Sequence, residues 1–332
     1  MDQQDPILPV NTPPEADSLP AFPPKPELEE KKKSNVWVRS LTSLALYLIM
    51  GYVLVRGQIT YLLILTGVVI IHEMGHFIAM KAFNYKELGI FFIPLLGAYA
   101  SGTKQETSQK QSAVILLAGP LPGIIAGLII YFLVEQQGSF GSGHYLAQGI
   151  AAIFIYLNLL NLIPVYPLDG GQLLNRLFLD EYHIINRVFV FLSAALMVWL
   201  AIRIRFYPLL VFPAMILFRM FNDIKNDRIL RRVENEGVNL TLSYDEITDE
   251  DYWKIRDALI KHHPELMDIP AAPPYTYAER EDKVITVMQG LLQRSIILDL
   301  SVVGKIFIIL LWIACFIAPF WLGIPFPFLS RY

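Results

Sequence analysis

Seven long apolar stretches constrain the fold of this chain more than any other feature of its sequence. Most are about 18–22 residues long, the length that a helix needs to cross the hydrocarbon core of a bilayer. They lie at about 36–55, 61–82, 113–134, 146–163, 185–202, 206–221 and 303–322. Hydrophobic residues make up 54% of the 332 positions and charged residues only 17%, a composition too apolar for an ordinary soluble domain. We therefore expect an all-α polytopic membrane protein with about six or seven transmembrane helices.

The polar segments around these stretches divide the chain into four parts. Residues 1–34 are polar and rich in proline, and we expect a disordered tail because such a segment cannot bury a core. Residues 35–221 form the predicted membrane core, and residues 301–332 contain a last transmembrane helix. The charged segment 222–300 predicts a small cytoplasmic helical domain, with helices that begin near Thr248 and Thr276, where each threonine has an acidic residue three positions later.

The distribution of positive charge predicts the orientation in the membrane. A basic cluster, Lys31–Lys33, precedes the first span, and four lysines lie in the stretch that begins with the last residues of the second span and ends before the third. The positive-inside rule therefore places the amino terminus in the cytoplasm, although Arg203 and Arg205 then fall in an outer turn. We expect a multi-pass protein of a bacterial inner membrane, surrounded by lipid. No basic cluster predicts a nucleic-acid partner, and the single cysteine, Cys315, excludes cysteine-rich zinc sites.

The second apolar stretch contains the sequence His72-Glu73-Met74-Gly75-His76. On a helix, His72 and His76 lie one turn apart on the same face, where both imidazoles can hold one Zn²⁺ ion. Glu73 lies beside them and can take a proton from a water that the metal activates. The alternative is two histidines with ordinary hydrogen bonds, which is less favoured inside a membrane span because each polar group needs a partner there.

Asp169 is the candidate for the third metal ligand. It lies at the end of the fourth span, which we expect on the same side of the membrane as His76. Pro164 and Pro167 end the preceding helix just before it. Hydrolytic zinc sites use three protein ligands and leave one position for water. The alternative is that Asp169-Gly170 is only a turn, since this dipeptide is a common turn signal.

These residues resemble the site-2 protease family of intramembrane zinc metalloproteases. The resemblance rests on the His72–His76 motif and on the later sequence Asn161-x-x-Pro164-x-x-Pro167-Leu168-Asp169-Gly170, and it covers roughly residues 60–175. It implies His72, His76 and Asp169 as zinc ligands, Glu73 as the catalytic base, and a catalytic role for Asn161 in binding substrate or stabilising the reacting carbonyl. It also implies membrane-spanning protein substrates, often cut to release a regulatory factor.

The chain departs from the family pattern at one position of the third span. Members often have Ala-Gly-Pro-x-x-Asn there, and this chain has Ala118-Gly119-Pro120 followed by Gly123 in place of the asparagine. We therefore expect no polar role for Gly123.

The segment Gly89–Ala100 lies between the second and third spans and is apolar but too short to cross a bilayer. Pro94 and Gly97 disfavour a helix, whereas three consecutive residues, Ile90 to Phe92, favour a strand. We expect a re-entrant or interfacial β-hairpin near the active site. The alternative is a plain amphipathic connector.

Together these features predict a zinc metalloendopeptidase that hydrolyses peptide bonds of membrane-embedded proteins in regulated intramembrane proteolysis. Two other classes remain. An inactive relative could act as a membrane scaffold, but Glu73 and the three candidate ligands are all present. A transporter or channel would spread its polar residues over several spans, whereas here they gather on two.

Overall fold

The computed structural model describes residues 22–27, 35–94, 97–104, 107–136, 141–179, 182–235, 237, 244–263, 265–292 and 296–324. Helices dominate these residues, with four short strands among them. In chain order the elements are α1 (Val36–Leu54), α2 (Ile59–Ala82), β1 (Lys86–Ile93), β2 (Gly97–Thr103), β3 (Thr107–Ser108), α3 (Gln109–Ala118), α4 (Pro120–Gln136), α5 (Ser142–Asn161), α6 (Asp169–Leu174), α7 (His183–Arg203), α8 (Val211–Asn235), α9 (Asp249–His262), α10 (Glu281–Leu291), β4 (Ile296–Ile297) and α11 (Val302–Trp321).

Seven helical stretches of the described chain are long and apolar enough to cross a membrane. The predicted fold class, a helical polytopic membrane protein with a small hairpin, is therefore confirmed. Two details differ from expectation. The third span is made of α3 and α4, which break at Gly119 because Pro120 has no amide hydrogen to continue the helix. Helix α8 continues through the predicted boundary at residue 221 as far as Asn235.

The β-hairpin predicted at residues 89–100 is present and slightly longer. Strands β1 and β2 are antiparallel, with Phe91 opposite Tyr99 and Ile90 opposite Ala100. Strand β1 packs against α1, where the rings of Phe92 and Tyr47 lie 5.6 Å apart. Strand β2 packs against α2. The hairpin therefore lies beside the helix that carries the histidines, and its depth in the bilayer stays a prediction.

A separate compact unit combines the described residues of 228–293 with residues 22–27. Its core lies between α9 and α10 and is built from apolar side chains that include Trp253 and Met288. Thr248 caps α9 as predicted, since its hydroxyl accepts a hydrogen bond from the amide of Asp251 at 3.1 Å. Helix α10 begins at Glu281 rather than near Thr276, so the second predicted helix start is wrong.

The expectation of a disordered tail over residues 1–34 does not hold for residues 22–27. Phe22 packs against the core of the same compact unit, and Lys25 donates hydrogen bonds to its backbone. The physical reason is that proline removes backbone donors but leaves carbonyl acceptors, which the aromatic side chains of the unit satisfy.

Candidate metal centre

Helix α2 buries three polar side chains in an otherwise apolar span. His72, Glu73 and His76 are each less than 10% exposed. The face that carries them is covered by other parts of the membrane core, since α2 contacts α3, α4, α5 and the hairpin. The spacing of one helical turn thus places both imidazoles inside the protein rather than toward lipid.

Asp169 joins these two histidines at the first position of α6. Its Oδ2 atom lies 3.1 Å from Nε2 of His72 and 3.3 Å from Nε2 of His76, and the two Nε2 atoms are 3.1 Å apart. Four ligands at about 2.0–2.1 Å around a tetrahedral zinc ion would be separated by about 3.3 Å. The three predicted ligands therefore form a triangle of the size that zinc requires, and their role as ligands stays a prediction.

The hydrogen bonds on the far side of each imidazole fix its tautomer. Nδ1 of His72 lies 2.7 Å from the side-chain oxygen of Asn158, and Nδ1 of His76 lies 2.7 Å from the carbonyl oxygen of Ile115. Both partners are acceptors, so each Nδ1 carries a hydrogen, and in the neutral imidazole each Nε2 then presents a lone pair. Two lone pairs and the Asp169 carboxylate then face one another, and Asp169 Oδ2 has no hydrogen-bond partner. A divalent cation fits such a donor set.

The sequence analysis missed the role of Asn158. This residue is fully buried on α5, and its amide nitrogen donates to the carbonyl of Phe154 at 2.6 Å, which turns the amide oxygen toward His72. A Cβ atom at Gly123 would lie 2.1 Å from the amide nitrogen of Asn158. Gly123, the position that departs from the family pattern, therefore makes the space that this asparagine fills. The only signal in the sequence was a polar residue inside an apolar span, because the proximity of Gly123 appears only in the fold.

A second close approach positions His76. A Cβ atom at Gly119 would lie 2.2 Å from Nε2 of His76, so only glycine allows this imidazole to pack against the break between α3 and α4. Ile115 belongs to the last turn of α3, where carbonyl groups lack a partner within the helix. His76 uses one of these carbonyls.

Glu73 lies where the hairpin meets α2. It is buried, and its carboxylate accepts a hydrogen bond from the backbone amide of Ala100 on β2. Phe92 donates its amide to the hydroxyl of Ser43 on α1 at 3.1 Å. In an antiparallel pair, two residues that lie directly opposite each other either both turn their amides toward the partner strand or both turn them outward. The outer edge of β2, at Ala98 and Ala100, therefore faces the side of α2 that carries Glu73.

The described contacts of Asn161 do not include the candidate metal ligands or Glu73. It is partly exposed at the last position of α5, and its amide makes a long contact of 3.4 Å with the carbonyl of Leu157. Among the described hydrogen bonds, none joins it to the histidines or to Asp169. Its catalytic role stays a prediction.

The fold and the site together define a polytopic membrane protein with a buried triad suited to a metal ion. Residues 60–151 match the model of Peptidase family M50. The chain is 30% identical over 137 residues to Stage IV sporulation protein FB of Bacillus subtilis (strain 168), which covers 40% of this chain and 45% of that protein. It is 28% identical over 114 residues to Zinc metalloprotease MJ0392 of Methanocaldococcus jannaschii, which covers 34% of this chain and 33% of that protein.

Over this segment the chain is similar to Peptidase family M50 and to the site-2 protease family. The resemblance predicted from the motifs is thereby confirmed. The chain spans less than half the length of these two curated relatives. A solved structure, the Site-2 Protease from Methanocaldococcus jannaschii, is 21% identical with a TM-score of 0.40 over 55% of this chain and 85% of that one, a similarity too low to add to the assignment.

Proposed function

We propose that this protein is an intramembrane zinc metalloendopeptidase. The observation that carries the proposal is the triangle of lone-pair donors from His72, His76 and Asp169, with Glu73 buried next to them. Three protein ligands with room for a fourth, and a carboxylate that is not a ligand, make the arrangement of a hydrolytic rather than a structural zinc site.

The residues of the chain divide the chemistry among them. A bound zinc ion would supply a Lewis acid that acidifies water and polarises a carbonyl group. Glu73 takes a proton from the attacking water, whose oxygen bonds to the scissile carbonyl carbon. The carbon–nitrogen bond then breaks, and Glu73 passes the proton to the leaving nitrogen. Asn161 is the proposed donor to the carbonyl oxygen as negative charge develops there.

The proposed substrates are membrane-spanning segments of other proteins, cut in regulated proteolysis. A helical substrate hides its peptide bonds and must unwind, which exposes backbone groups that need partners. The outer edge of β2 can supply them through strand addition. This edge is favoured because Ala100 lies against Glu73, so an added strand would run beside the catalytic base.

The proposed location is the inner membrane of a bacterium, with the active site toward the cytoplasm. The support is the lysine distribution, Lys31–Lys33 before α1 and four lysines from the end of α2 to α3. Protease added outside sealed right-side-out vesicles should then leave residues 222–300 intact. Cleavage of that region from outside would indicate the opposite orientation and would leave the proposed chemistry unaffected.

The test of the activity is cleavage of a membrane-spanning reporter in proteoliposomes. Removal of metal with a chelator should abolish cleavage, and added zinc should restore it. Asp169→Ala should lower the zinc content, because two imidazoles alone hold the ion weakly. Cleavage that survives metal removal, or full zinc content in Asp169→Ala, would refute the proposal. A transporter would bind zinc without cleaving the reporter.

A further inference from the structure

Residues 22–27, with the sequence Phe-Pro-Pro-Lys-Pro-Glu, lie without helix or strand structure against an aromatic surface of the compact unit. We call this surface the aromatic groove, and it consists of Tyr244, Trp253, Tyr275 and Tyr277. The rings of Trp253 and Tyr277 are stacked at 5.6 Å, and Tyr275 meets Trp253 edge-on at 5.4 Å. Phe22 packs its ring edge-on against Tyr275 at 5.0 Å.

Three side chains of the groove donate hydrogen bonds to three proline carbonyls of the segment. Nε1 of Trp253 donates to Pro23 at 2.9 Å, the hydroxyl of Tyr277 donates to Pro24, and the hydroxyl of Tyr244 donates to Pro26 at 2.8 Å. Proline has no amide hydrogen, so each proline of the segment offers only an acceptor from its backbone. The groove offers donors at the matching positions.

Lys25 adds a contact that depends on the side chain of the bound segment. Its Nζ atom donates to the carbonyl oxygens of Tyr244, Asp245 and Ile247 at 2.8–2.9 Å, which uses all three ammonium hydrogens. The amide of Lys25 donates to Oδ1 of Asp249 at 2.8 Å. A lysine is therefore selected at this position, between two prolines.

We infer that the aromatic groove is a recognition site for a proline-rich peptide and that residues 22–27 of the same chain occupy it. Aromatic grooves with directed donors are a recurring way to bind extended proline-rich segments, which lose little conformational entropy on binding. An apolar patch that is only covered by a passing segment would not need four directed bonds to the backbone and a carbonyl cage for one ammonium group.

The inference implies competition between the attached segment and any free peptide of the same kind. An attached ligand acts at an effective concentration of about millimolar. A free proline-rich peptide therefore meets an occupied groove in the native chain and an open one when the attached segment is disabled.

The test uses a fluorescent peptide of residues 20–29 and the full-length protein in detergent. The variant Lys25→Glu should disable the attached segment, because a carboxylate would face three carbonyl oxygens. We expect this variant to bind the free peptide at least about tenfold more tightly than the native chain does. The same peptide carrying Lys25→Glu should bind neither protein.

A second pair of variants, each added to Lys25→Glu, assigns the binding to the groove. Tyr277→Phe removes the donor to Pro24 and should weaken peptide binding several-fold, and Tyr277 is half exposed, so the core is undisturbed. Tyr275→Phe is the matched control, since it keeps the ring that contacts Phe22. Equal binding by the native chain and Lys25→Glu, no binding by either, or equal effects of the two tyrosine changes would overturn the inference.

A photocrosslinking amino acid at Phe22 gives an independent measurement. It should react with the stretch that contains Tyr275 and leave a protein of monomer mass. Crosslinks between two copies of the chain would overturn the assignment of the segment to its own groove.

Discussion

The side-chain oxygen of Asn158 accepts a hydrogen bond of 2.7 Å from Nδ1 of His72. Because the amide nitrogen of Asn158 is held by the carbonyl of Phe154, the oxygen cannot turn away. The result is an imidazole whose Nδ1 donates to Asn158 and whose Nε2 faces Asp169 Oδ2 at 3.1 Å, so the residue behind the histidine orients it toward the candidate metal site.

Asn158→Ala should lower zinc affinity by about 10- to 100-fold, the usual effect of losing a partner that orients a metal-binding histidine. Competition with a chromogenic chelator measures this on purified protein. Asn158→Asp keeps an acceptor and should lose less. Zinc affinity equal to that of the native chain in Asn158→Ala would show that packing alone orients His72.

Glu73→Gln should reduce reporter cleavage by at least about 100-fold while zinc content stays unchanged. Glutamine has the size of glutamate, and its side-chain oxygen can still accept a hydrogen bond from the backbone amide of Ala100. Its carboxamide cannot take up a proton at neutral pH. Cleavage rate and zinc content are measured on the same preparation. Loss of zinc in this variant would instead make Glu73 a ligand.

Asn161→Ala tests the role implied by the family resemblance. If its amide stabilises the reacting carbonyl, cleavage should fall by about 100- to 1000-fold with zinc retained. Leu160→Ala is the control, since Leu160 is an exposed neighbour on the same helix. A normal cleavage rate in Asn161→Ala would remove this residue from the catalytic set.

Ala98→Pro should strongly reduce cleavage of a membrane-spanning substrate without changing zinc content. Proline removes one backbone donor from the outer edge of β2, where we propose that the unwound substrate binds. Ala98→Ser keeps the donor and should cleave at nearly the native rate. Phe92→Pro is a poorer test, since the Phe92 amide is used by Ser43 on α1. Normal turnover by Ala98→Pro would exclude strand addition at this edge.

The buried carboxylate of Glu281 should make the compact unit sensitive to acid. Burial alone would raise its pKa, but hydrogen bonds from Arg256, from the Tyr252 hydroxyl and from the amide of Ala278 outweigh burial and lower the pKa. A lowered pKa in the folded state stabilises the protein above the unfolded value of about 4.3, and this contribution is lost as the pH falls through the folded value.

The unfolding temperature of the compact unit can be measured in the full-length chain by the onset of proteolysis between α9 and α10. This temperature should change little between pH 8 and pH 6 and should decrease once the pH is below about 4. Glu281→Gln should remove much of this acid dependence. It should also destabilise the unit by about 3 kcal/mol at pH 7, because buried Arg256 loses its bidentate partner and keeps only the more distant carboxylate of Asp257 at 3.8 Å. If Glu281→Gln keeps the acid dependence of the native chain, other carboxylates are responsible for it.

The parts of the site that follow a local rule could be predicted from the sequence. The spacing of His72 and His76 fixes their shared helix face, and the end of the fourth span brings Asp169 to the same place. The role of Asn158 could not be found in this way, since the space for its side chain exists only because Gly123, on another helix, has no Cβ atom.

Long-range contacts account for the other differences between the predictions and the structure. Composition predicts disorder for residues 22–27, but their partners lie more than 200 positions away in the sequence. Helix α10 begins later than predicted because of the contacts of Glu281. This carboxylate binds Arg256 and also accepts a hydrogen bond from the amide of Ala278, so the chain before Glu281 forms a loop. A capping pattern at Thr276 is a weak preference that this buried pair overrides.

The break between α3 and α4 also shapes the electric field at the site. A helix carries about half a negative elementary charge at its carboxyl end, and α3 ends within the third span, with the Ile115 carbonyl against His76. A continuous helix would have carried that end to the membrane surface, where water screens it. Because α4 begins at Pro120, its positive end adjoins this negative end and offsets much of that charge. What acts at His76 is the dipole of the single Ile115 carbonyl, which holds the hydrogen on Nδ1 and leaves Nε2 turned toward Asp169.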